Sequence, residues 1–267
     1  MNARLAFIGG GNMAGAIFGG LLRSGWPAAA ISVVEPWAEQ RERIAAAWPG
    51  VALLPAADAS LVSAEIVVWA VKPQSFAEAA AACAGGIADA LQLSVMAGIR
   101  SEAIARASGS ERVVRAMPNT PALIGQGIAG LVARAAVSEA DRASVEAVLA
   151  PTGQLLWLDH EDALDAVTAI SGSGPAYVFF FIEAMMEAAE QMGLTREQGR
   201  TLAQTTFAGA SALAMQSDES PATLRERVTS KGGTTFAALE SMRADQVQQA
   251  IVRALLAARQ RAFELGR

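Results

Sequence analysis

The chain of 267 residues has one cysteine, one histidine and one tyrosine. A lone Cys83 excludes an internal disulfide and any cysteine-rich metal site, and it is expected as a buried or half-buried helix residue. No set of ligand-type side chains has zinc-site spacing, so no metal is expected. Basic runs are absent and the formal net charge is -5, which argues against nucleic acid or an anionic lipid surface as a partner. The longest apolar run, Tyr177 to Ile182, stops at Glu183 and is too short to span a bilayer, so no membrane partner is expected. The chain opens directly in a strand, without signal-peptide character, and a cytoplasmic location is expected. No Pro/Gly/Ser-rich linker, low-complexity segment or internal repeat is present. In contrast, 52% of residues are hydrophobic and 18% charged. That balance predicts a large core, with some apolar surface shared between subunits.

The opening stretch organises what is there. Leu5 to Ile8 reads as a short strand, Gly9-Gly10-Gly11 as a turn, and Asn12-Met13-Ala14 as the start of an amphipathic helix. Gly9, Gly11 and Ala14 match the G-x-G-x-x-G/A dinucleotide pattern. Gly9 permits the tight turn, Gly11 lets the backbone approach a pyrophosphate, and Ala14 lets helix and strand pack closely. The helix start offers unpaired N–H groups and partial positive charge to phosphate.

The first half alternates β and α patterns. Strands are expected at Ala30–Val34, Val51–Leu54, Glu65–Val71, Leu91–Met96, Val113–Met117, Ile128–Ala133 and Leu155–Leu158. Helices are expected at Ala38–Trp48 and Ser138–Leu149. This alternation predicts an α/β fold, a doubly wound parallel sheet with ligands beyond the carboxyl ends of its strands. Those ends are Gly9 to Met13, Glu35, Ala70-Val71-Lys72-Pro73, Ala97-Gly98 and Met117 to Pro121. Glu35 ends the second strand, where an acid accepts from the adenosine ribose 2′-hydroxyl and favours NAD. Arg41 and Arg43 follow on the next helix and are placed to offset its charge toward a 2′-phosphate. A solvated Glu35 before Pro36 is the other reading.

From about Asp162 the pattern turns helical: Pro175–Met192, Arg196–Met215, Pro221–Arg227, Phe236–Met242 and Gln246–Leu265. Residues 1–160 are therefore read as a dinucleotide-binding domain and 161–267 as a helical dimerisation and substrate domain. The stretch Leu202 to Met215 is rich in Ala, Gly and Ser, and another subunit is the expected place to bury it. Two turns here have the composition of a small-anion site at a helix start: Ser171-Gly172-Ser173-Gly174-Pro175-Ala176-Tyr177 and Thr229-Ser230-Lys231-Gly232-Gly233-Thr234-Thr235. Ordinary capping is the alternative for each.

Lys72 and Lys231 are the lysines, and His160 sits in a polar junction where exposure is expected. The helical half thus lacks the lysine of β-hydroxyacid dehydrogenases, and the chain lacks the His–Asp pair of 2-hydroxyacid dehydrogenases. It supplies hydroxyls and helix ends instead. That inventory suits hydride transfer to a substrate already electrophilic, such as a protonated imine, where positioning does most of the work.

These segments carry a family resemblance. The chain resembles pyrroline-5-carboxylate reductase through Phe7 to Ala14, Ala70 to Pro73, Arg115-Ala116-Met117-Pro118-Asn119-Thr120-Pro121-Ala122, Ser171 to Tyr177 and Gly232 to Thr235. The resemblance implies a Rossmann domain followed by a helical domain that interleaves with its mate in a homodimer, five of which can form a decamer. It implies reduction of 1-pyrroline-5-carboxylate to L-proline with NADPH or NADH. Ile8, Gly9, Gly10, Gly11, Asn12 and Met13 would cradle the pyrophosphate. Ala70 to Pro73, Ala97 and Gly98 would line ribose and nicotinamide, and Asn119 would hold the nicotinamide near substrate. The Gly232-Gly233-Thr234 backbone would bind the substrate carboxylate, Thr235 would lie near the ring nitrogen, and Ser173 would help shape the pocket. Lys231 stands where the family carries proline, placed to attract the carboxylate or simply solvated. Glu35-Pro36-Trp37 departs from the Asn-Arg-Ser-like segment of NADP-preferring members, leaving cofactor preference open. Another imine or 3-hydroxyacid oxidoreductase, or a non-enzymatic NADP sensor, are the rival readings.

Overall fold

The computed structural model describes residues 3–266. Two compact units divide the chain, 1–173 together with 258–267, and 174–257.

The first unit is built on one eight-stranded sheet. Its strands are β1 (Leu5–Ile8), β2 (Ile31–Val34), β3 (Ala52–Leu54), β4 (Ile66–Trp69), β5 (Leu91–Ser94), β6 (Val113–Met117), β7 (Gly127–Ala133) and β8 (Gly153–Trp157), in the order β3-β2-β1-β4-β5-β6-β7-β8. Neighbours are parallel except β6 and β7, which run antiparallel with Val114 opposite Ala133 and Met117 opposite Gly130. This one reversal departs from the all-parallel expectation. The link through 118–126 is too short for a crossover helix, so β7 must return alongside β6.

Alternation along each strand sends side chains to two cores. On one face Leu5, Phe7, Val33, Val68 and Leu93 meet Ile17, Phe18 and Leu21 of α1 (Asn12–Arg23). Val145, Val148 and Leu149 of α5 (Glu139–Leu149) lie on the same side, after α2 (Ala38–Ala47), α3 (Phe76–Ala82) and α4 (Ser101–Ser108) in the chain. On the other face Ala6, Ile8, Val67 and Trp69 pack with Phe76, Ala80, Cys83 and Ile104. Cys83 is buried there as expected, and burial pushes its thiol up to about 11, which leaves it unreactive. The fully buried Trp69 indole donates to Gln92 Oε1 at 2.8 Å, while Gln92 Nε2 donates to the Ile87 and Ala90 carbonyls. A polar side chain thus sits in the core with its amide satisfied.

Helices α6 (Ala163–Val167), α7 (Gly174–Gln191), α8 (Arg196–Met215), α9 (Pro221–Arg227), α10 (Thr234–Ala244) and α11 (Val247–Leu265) follow. In the second unit α7 and α8 form a hairpin. A side chain on Gly199 would begin 2.8 Å from the Ala189 methyl, so small residues set how closely the two helices meet. Apolar side chains remain exposed across this unit, Phe180 at 68% and Met215 at 72% among them. Leu202 to Met215, read as a buried helix, carries the exposed Leu202, Leu213 and Met215.

Helix α6, a π-helical turn at Thr168–Gly172 and α7 form one continuous run, Ala163–Gln191. It is far longer than the Tyr177–Ile182 segment, and by length and composition it is long and apolar enough to cross a membrane. Among the described residues, no group of three or more His, Cys, Asp or Glu side chains could hold a metal ion.

Helix α5 starts on a capping box in which Ser138 and Asp141 satisfy each other's backbone N–H groups. Asp141 also receives the Arg112 guanidinium, and that bond, helped by Ser138 and opposed by burial, holds its carboxyl near 2. A depressed carboxylate stabilises the fold above its ordinary range and loses that contribution as pH falls through the folded value. With Arg112 partly solvent-screened, the contribution is about 1–2 kcal/mol at neutral pH. We expect Asp141→Asn to be less stable than wild type by about that much at pH 6, with the gap closing between pH 4 and 2. Urea denaturation across that range checks it.

Candidate active site

The sheet order reverses direction at β1, which lies between β2 and β4. Crevices at such switch points, outside the carboxyl ends of the strands, are where α/β sheets hold ligands. Gly9 N donates to the Val34 carbonyl and Ala70 N to the Ile8 carbonyl, each at 2.9 Å, so the turn after β1 is held from both sides. Gly9 has φ +99, and a side chain there would begin 2.8 Å from the Ala70 carbonyl oxygen. Only glycine fits both conditions. Gly11 is the opposite case: it is exposed, and the space its side chain would occupy is empty to 4 Å.

Gly11 also caps α1 in extended conformation with no side-chain cap, and no acid lies in the first turn. The orphan N–H groups and the positive end of the helix therefore face open space. An open glycine cradle over an uncapped helix start fits a pyrophosphate.

Glu35 stands beside this cradle, half-buried at the end of β2. Its Oε2 accepts from Gly10 N–H at 2.9 Å and its Oε1 from Trp37 N–H at 3.0 Å. Gln40 Nε2 donates to the Gly10 carbonyl at 2.7 Å, a contact the sequence pattern did not reveal. Ala70 and Val71 lie against Gly9. Lys72 is extended and Pro73 opens a short 3₁₀ turn, where its missing N–H costs nothing. Ala97 and Gly98 follow the parallel neighbour β5, and the Leu265 carbonyl lies 2.9 Å from where a side chain on Gly98 would begin. The expected dinucleotide residues therefore cluster at the ends of β1, β2, β4 and β5.

Asn119 follows β6, and both ends of its amide have protein partners. Oδ1 accepts from Ile128 N at 3.0 Å and Nδ2 donates to the Ser171 carbonyl at 3.2 Å. In a regular helix the Ser171 carbonyl would accept from residue 175, but Pro175 has no N–H. Proline thus leaves an acceptor open inside the helix, and Asn119 fills it. The Ser171–Tyr177 segment does open α7 at Gly174, as its composition suggested, but a π-helical turn runs directly into that start. It lies within the continuous run, and Ser173 N is already bonded to the Thr168 carbonyl. The π turn is the kind of local irregularity often found at functional sites.

A buried ion pair adds to this region. Arg115, in β6, donates to Glu161 at 2.8 Å, and Glu161 also accepts from the Ser101 amide and hydroxyl. Burial pushes the Glu161 carboxyl up, but these partners outweigh it and hold it below its ordinary value. No local pattern joins residues this far apart, so sequence reasoning missed them. His160, next in the chain to Glu161, is exposed as expected.

In the second unit, Gly232 has φ +76 and Gly233 N closes a turn onto the Ser230 carbonyl at 3.0 Å. Gly233 then caps α10 without a side-chain cap, and the first turn holds no acid. Here the expected helix start is present. Thr235 is half-buried on it, whereas Lys231, Gly232 and Thr234 are exposed.

A family model described as NADP oxidoreductase, coenzyme F420-dependent, matches residues 4–98, the segment that carries the cradle. Fold and cradle together define an NAD(P)-dependent oxidoreductase. A second model, pyrroline-5-carboxylate reductase dimerisation, matches residues 161–265. Pyrroline-5-carboxylate reductases of Pseudomonas aeruginosa and Haemophilus influenzae are 44% and 41% identical to this chain, each over 98% of it and 97% of the relative. The solved pyrroline-5-carboxylate reductase of Coxiella burnetii superposes with TM-score 0.91 at 33% identity, covering 100% of both chains. The NADP-bound pyrroline carboxylate reductase of Plasmodium falciparum superposes with TM-score 0.87 at 26% identity, covering 100% of this chain and 99% of its own. The chain belongs to the pyrroline-5-carboxylate reductase family.

The two glycines make separable predictions. Gly9→Ala should lower the thermal midpoint by several degrees, since a strained positive φ costs about 1–3 kcal/mol and each kcal/mol moves the midpoint by about 2–4 °C. Gly11→Ala should leave the midpoint unchanged and weaken NADH and NADPH binding at least about tenfold, about 1.4 kcal/mol. Differential scanning fluorimetry and calorimetric titration read the two effects.

Proposed function

We propose that this chain reduces 1-pyrroline-5-carboxylate to L-proline, the last step of proline biosynthesis. The observation that carries the reading is the pairing of an open glycine cradle at residues 9–11 with an uncapped helix start at Gly233-Thr234-Thr235 in a chain of this family. We assign residues 1–160 to dinucleotide binding and 161–267 to dimerisation and substrate binding.

Ile8 to Met13 hold the pyrophosphate, Glu35 the adenosine ribose, and Ala70 to Pro73 with Ala97-Gly98 the remainder of the cofactor. Bound NAD(P)H supplies the hydride, delivered from nicotinamide C4 to the imine carbon. The chain's own task is alignment. N–H groups at Gly232, Gly233 and Thr234 take the substrate carboxylate, because an uncapped helix start favours an anion. Exposed Lys231 adds positive charge on the approach, and Ser173 shapes the pocket. The Thr235 hydroxyl donates to the ring nitrogen as it becomes an amine. A neutral threonine is no acid at pH 7, so the proton comes from water or arrives on a protonated imine. Asn119 acts through position: its two bonds fix the turn after β6 against the Ser171 carbonyl.

The exposed apolar side chains of 174–257 support burial against a second copy, with helical domains interleaved and dimers able to build a decamer. The same reading makes the protein a soluble cytoplasmic enzyme, in which the apolar run Ala163–Gln191 is covered by protein and not lipid.

NADH and NADPH oxidation should both be followed with and without pyrroline-5-carboxylate. Turnover that depends on the imine is the expected result, and no turnover with either cofactor from folded protein overturns the assignment. Thr235→Ala should lower kcat about 10- to 100-fold, less than the loss of a donor to an oxyanion, because the lone pair that develops on the ring nitrogen carries no net charge. Its thermal midpoint should not move, and Thr235→Ser should recover most of the rate.

A further inference from the structure

We propose that Glu35 makes the adenosine end of the cleft selective for a free ribose 2′-hydroxyl, so that this chain prefers NADH to NADPH. The inference rests on the reading of residues 8–13 as the dinucleotide cradle.

Three observations point the same way. First, the carboxylate is fixed. Each oxygen takes one backbone N–H, from Gly10 at 2.9 Å and from Trp37 at 3.0 Å. A carboxylate oxygen with one donor still has a lone pair for a hydroxyl. Glu35 can therefore accept from a ribose 2′-OH without giving up either bond, and it cannot swing away from a phosphate without breaking both.

Second, the two residues directly after Glu35 offer a phosphate no free N–H. Pro36 has no N–H, and the N–H of Trp37 is already given to Glu35. Helix α2 begins just beyond, but its first turn carries Glu39, a second carboxylate where an anion would need the positive end of the helix.

Third, of the two cations that sequence placed to offset Glu35, the nearer in sequence is engaged by the backbone. Arg41 Nη1 donates to the Glu35 and Pro36 carbonyls, each at 2.8 Å, which ties its guanidinium to the backbone. Arg43 pairs with Glu39 at 3.9 Å. A 2′-phosphate would therefore lie beside a fixed carboxylate, with Arg41 held on the backbone and the solvent-exposed Arg43 already shared with Glu39. A 2′-hydroxyl meets an acceptor waiting for it.

Binding without turnover tests this. Calorimetric titration would compare ADP-ribose with its 2′-phosphate, and NADH with NADPH, on wild type and on Glu35→Gln at low ionic strength. Wild type should bind the 2′-hydroxyl form at least about tenfold tighter in each pair. Glu35→Gln keeps the size and one acceptor but removes the charge, and should lose most of that ratio, chiefly by binding the phosphorylated form better. The kcat/KM ratio for the two cofactors should follow, through KM more than kcat. Equal affinities in wild type, or tighter binding of the 2′-phosphate, would overturn the proposal, as would an unchanged ratio in Glu35→Gln. If that variant fails to fold by circular dichroism, the wild-type ratio alone decides. Folded wild type that binds none of the four ligands would instead bring down the dinucleotide reading beneath it.

Discussion

At the switch point of the sheet two backbones approach more closely than any side chain would allow. The turn after β1 passes so near the Ala70 carbonyl that residue 9 must lack a Cβ, and its positive φ demands glycine as well. The rest of the cleft is assembled on this contact. Val34 and Ala70 bind the turn from the strands on either side, and Glu35 and Gln40 hold Gly10 from outside the sheet. A turn fastened on three sides does not need to be ordered by its ligand. Conformational entropy is lost during folding, and binding is correspondingly tighter for the same contacts. The open space above Gly11 and the free N–H groups of α1 thus form a preformed, open cradle.

A second constraint ties the sheet to the segment leading into the helices. Glu161 joins Arg115 in β6 to the start of α4, and Arg100 reaches Asp162 and Asp165 in the same stretch. Arg115 is almost fully buried, and stripping one partner from such a pair costs about 3–5 kcal/mol. The attachment therefore specifies where the chain leaves the sheet more than it adds net stability. A few residues on, Pro175 withholds a hydrogen bond from Ser171 and Asn119 supplies one. Between them these contacts place the turn after β6 and the π turn in a fixed relation, independent of substrate.

Much of this was legible in the residues. Apolar runs located the strands, and the glycine pattern after β1 located the cradle because Gly9 answers a local steric demand and Gly11 leaves the helix start open. Pro73 and the Gly232-Gly233 turn were readable for the same reason. The antiparallel return of β7 was not, because strand direction leaves no mark on an apolar run; the short link through 118–126 was the available clue. Ser171 to Tyr177 was read as a helix start because Gly and Pro commonly stand there, and α7 does begin at Gly174; the π turn leading into it has no such local mark. The Glu161, Gln40 and Gln92 contacts join residues distant in sequence, and a single chain without its fold does not disclose them. Glu35 was visible as an acid at a strand end, whereas the bonds that hold Arg41 on the Glu35 and Pro36 carbonyls are set by the fold and have no mark in the residues.

The last turns of α11 belong to the first unit, with the Leu265 carbonyl against Gly98 at the end of β5. The helices of 174–257 are therefore an insertion, entered at one point of the chain and left at another, and the first unit is discontinuous in sequence. A gene fragment ending after residue 173 would lack a part of the domain it was meant to isolate, and the loop after β5 would lose a wall. Fusion and affinity tagging are for that reason better made at the amino terminus. Exon-like swapping of the helical region between relatives would have to respect two junctions, one near residue 173 and one near residue 258.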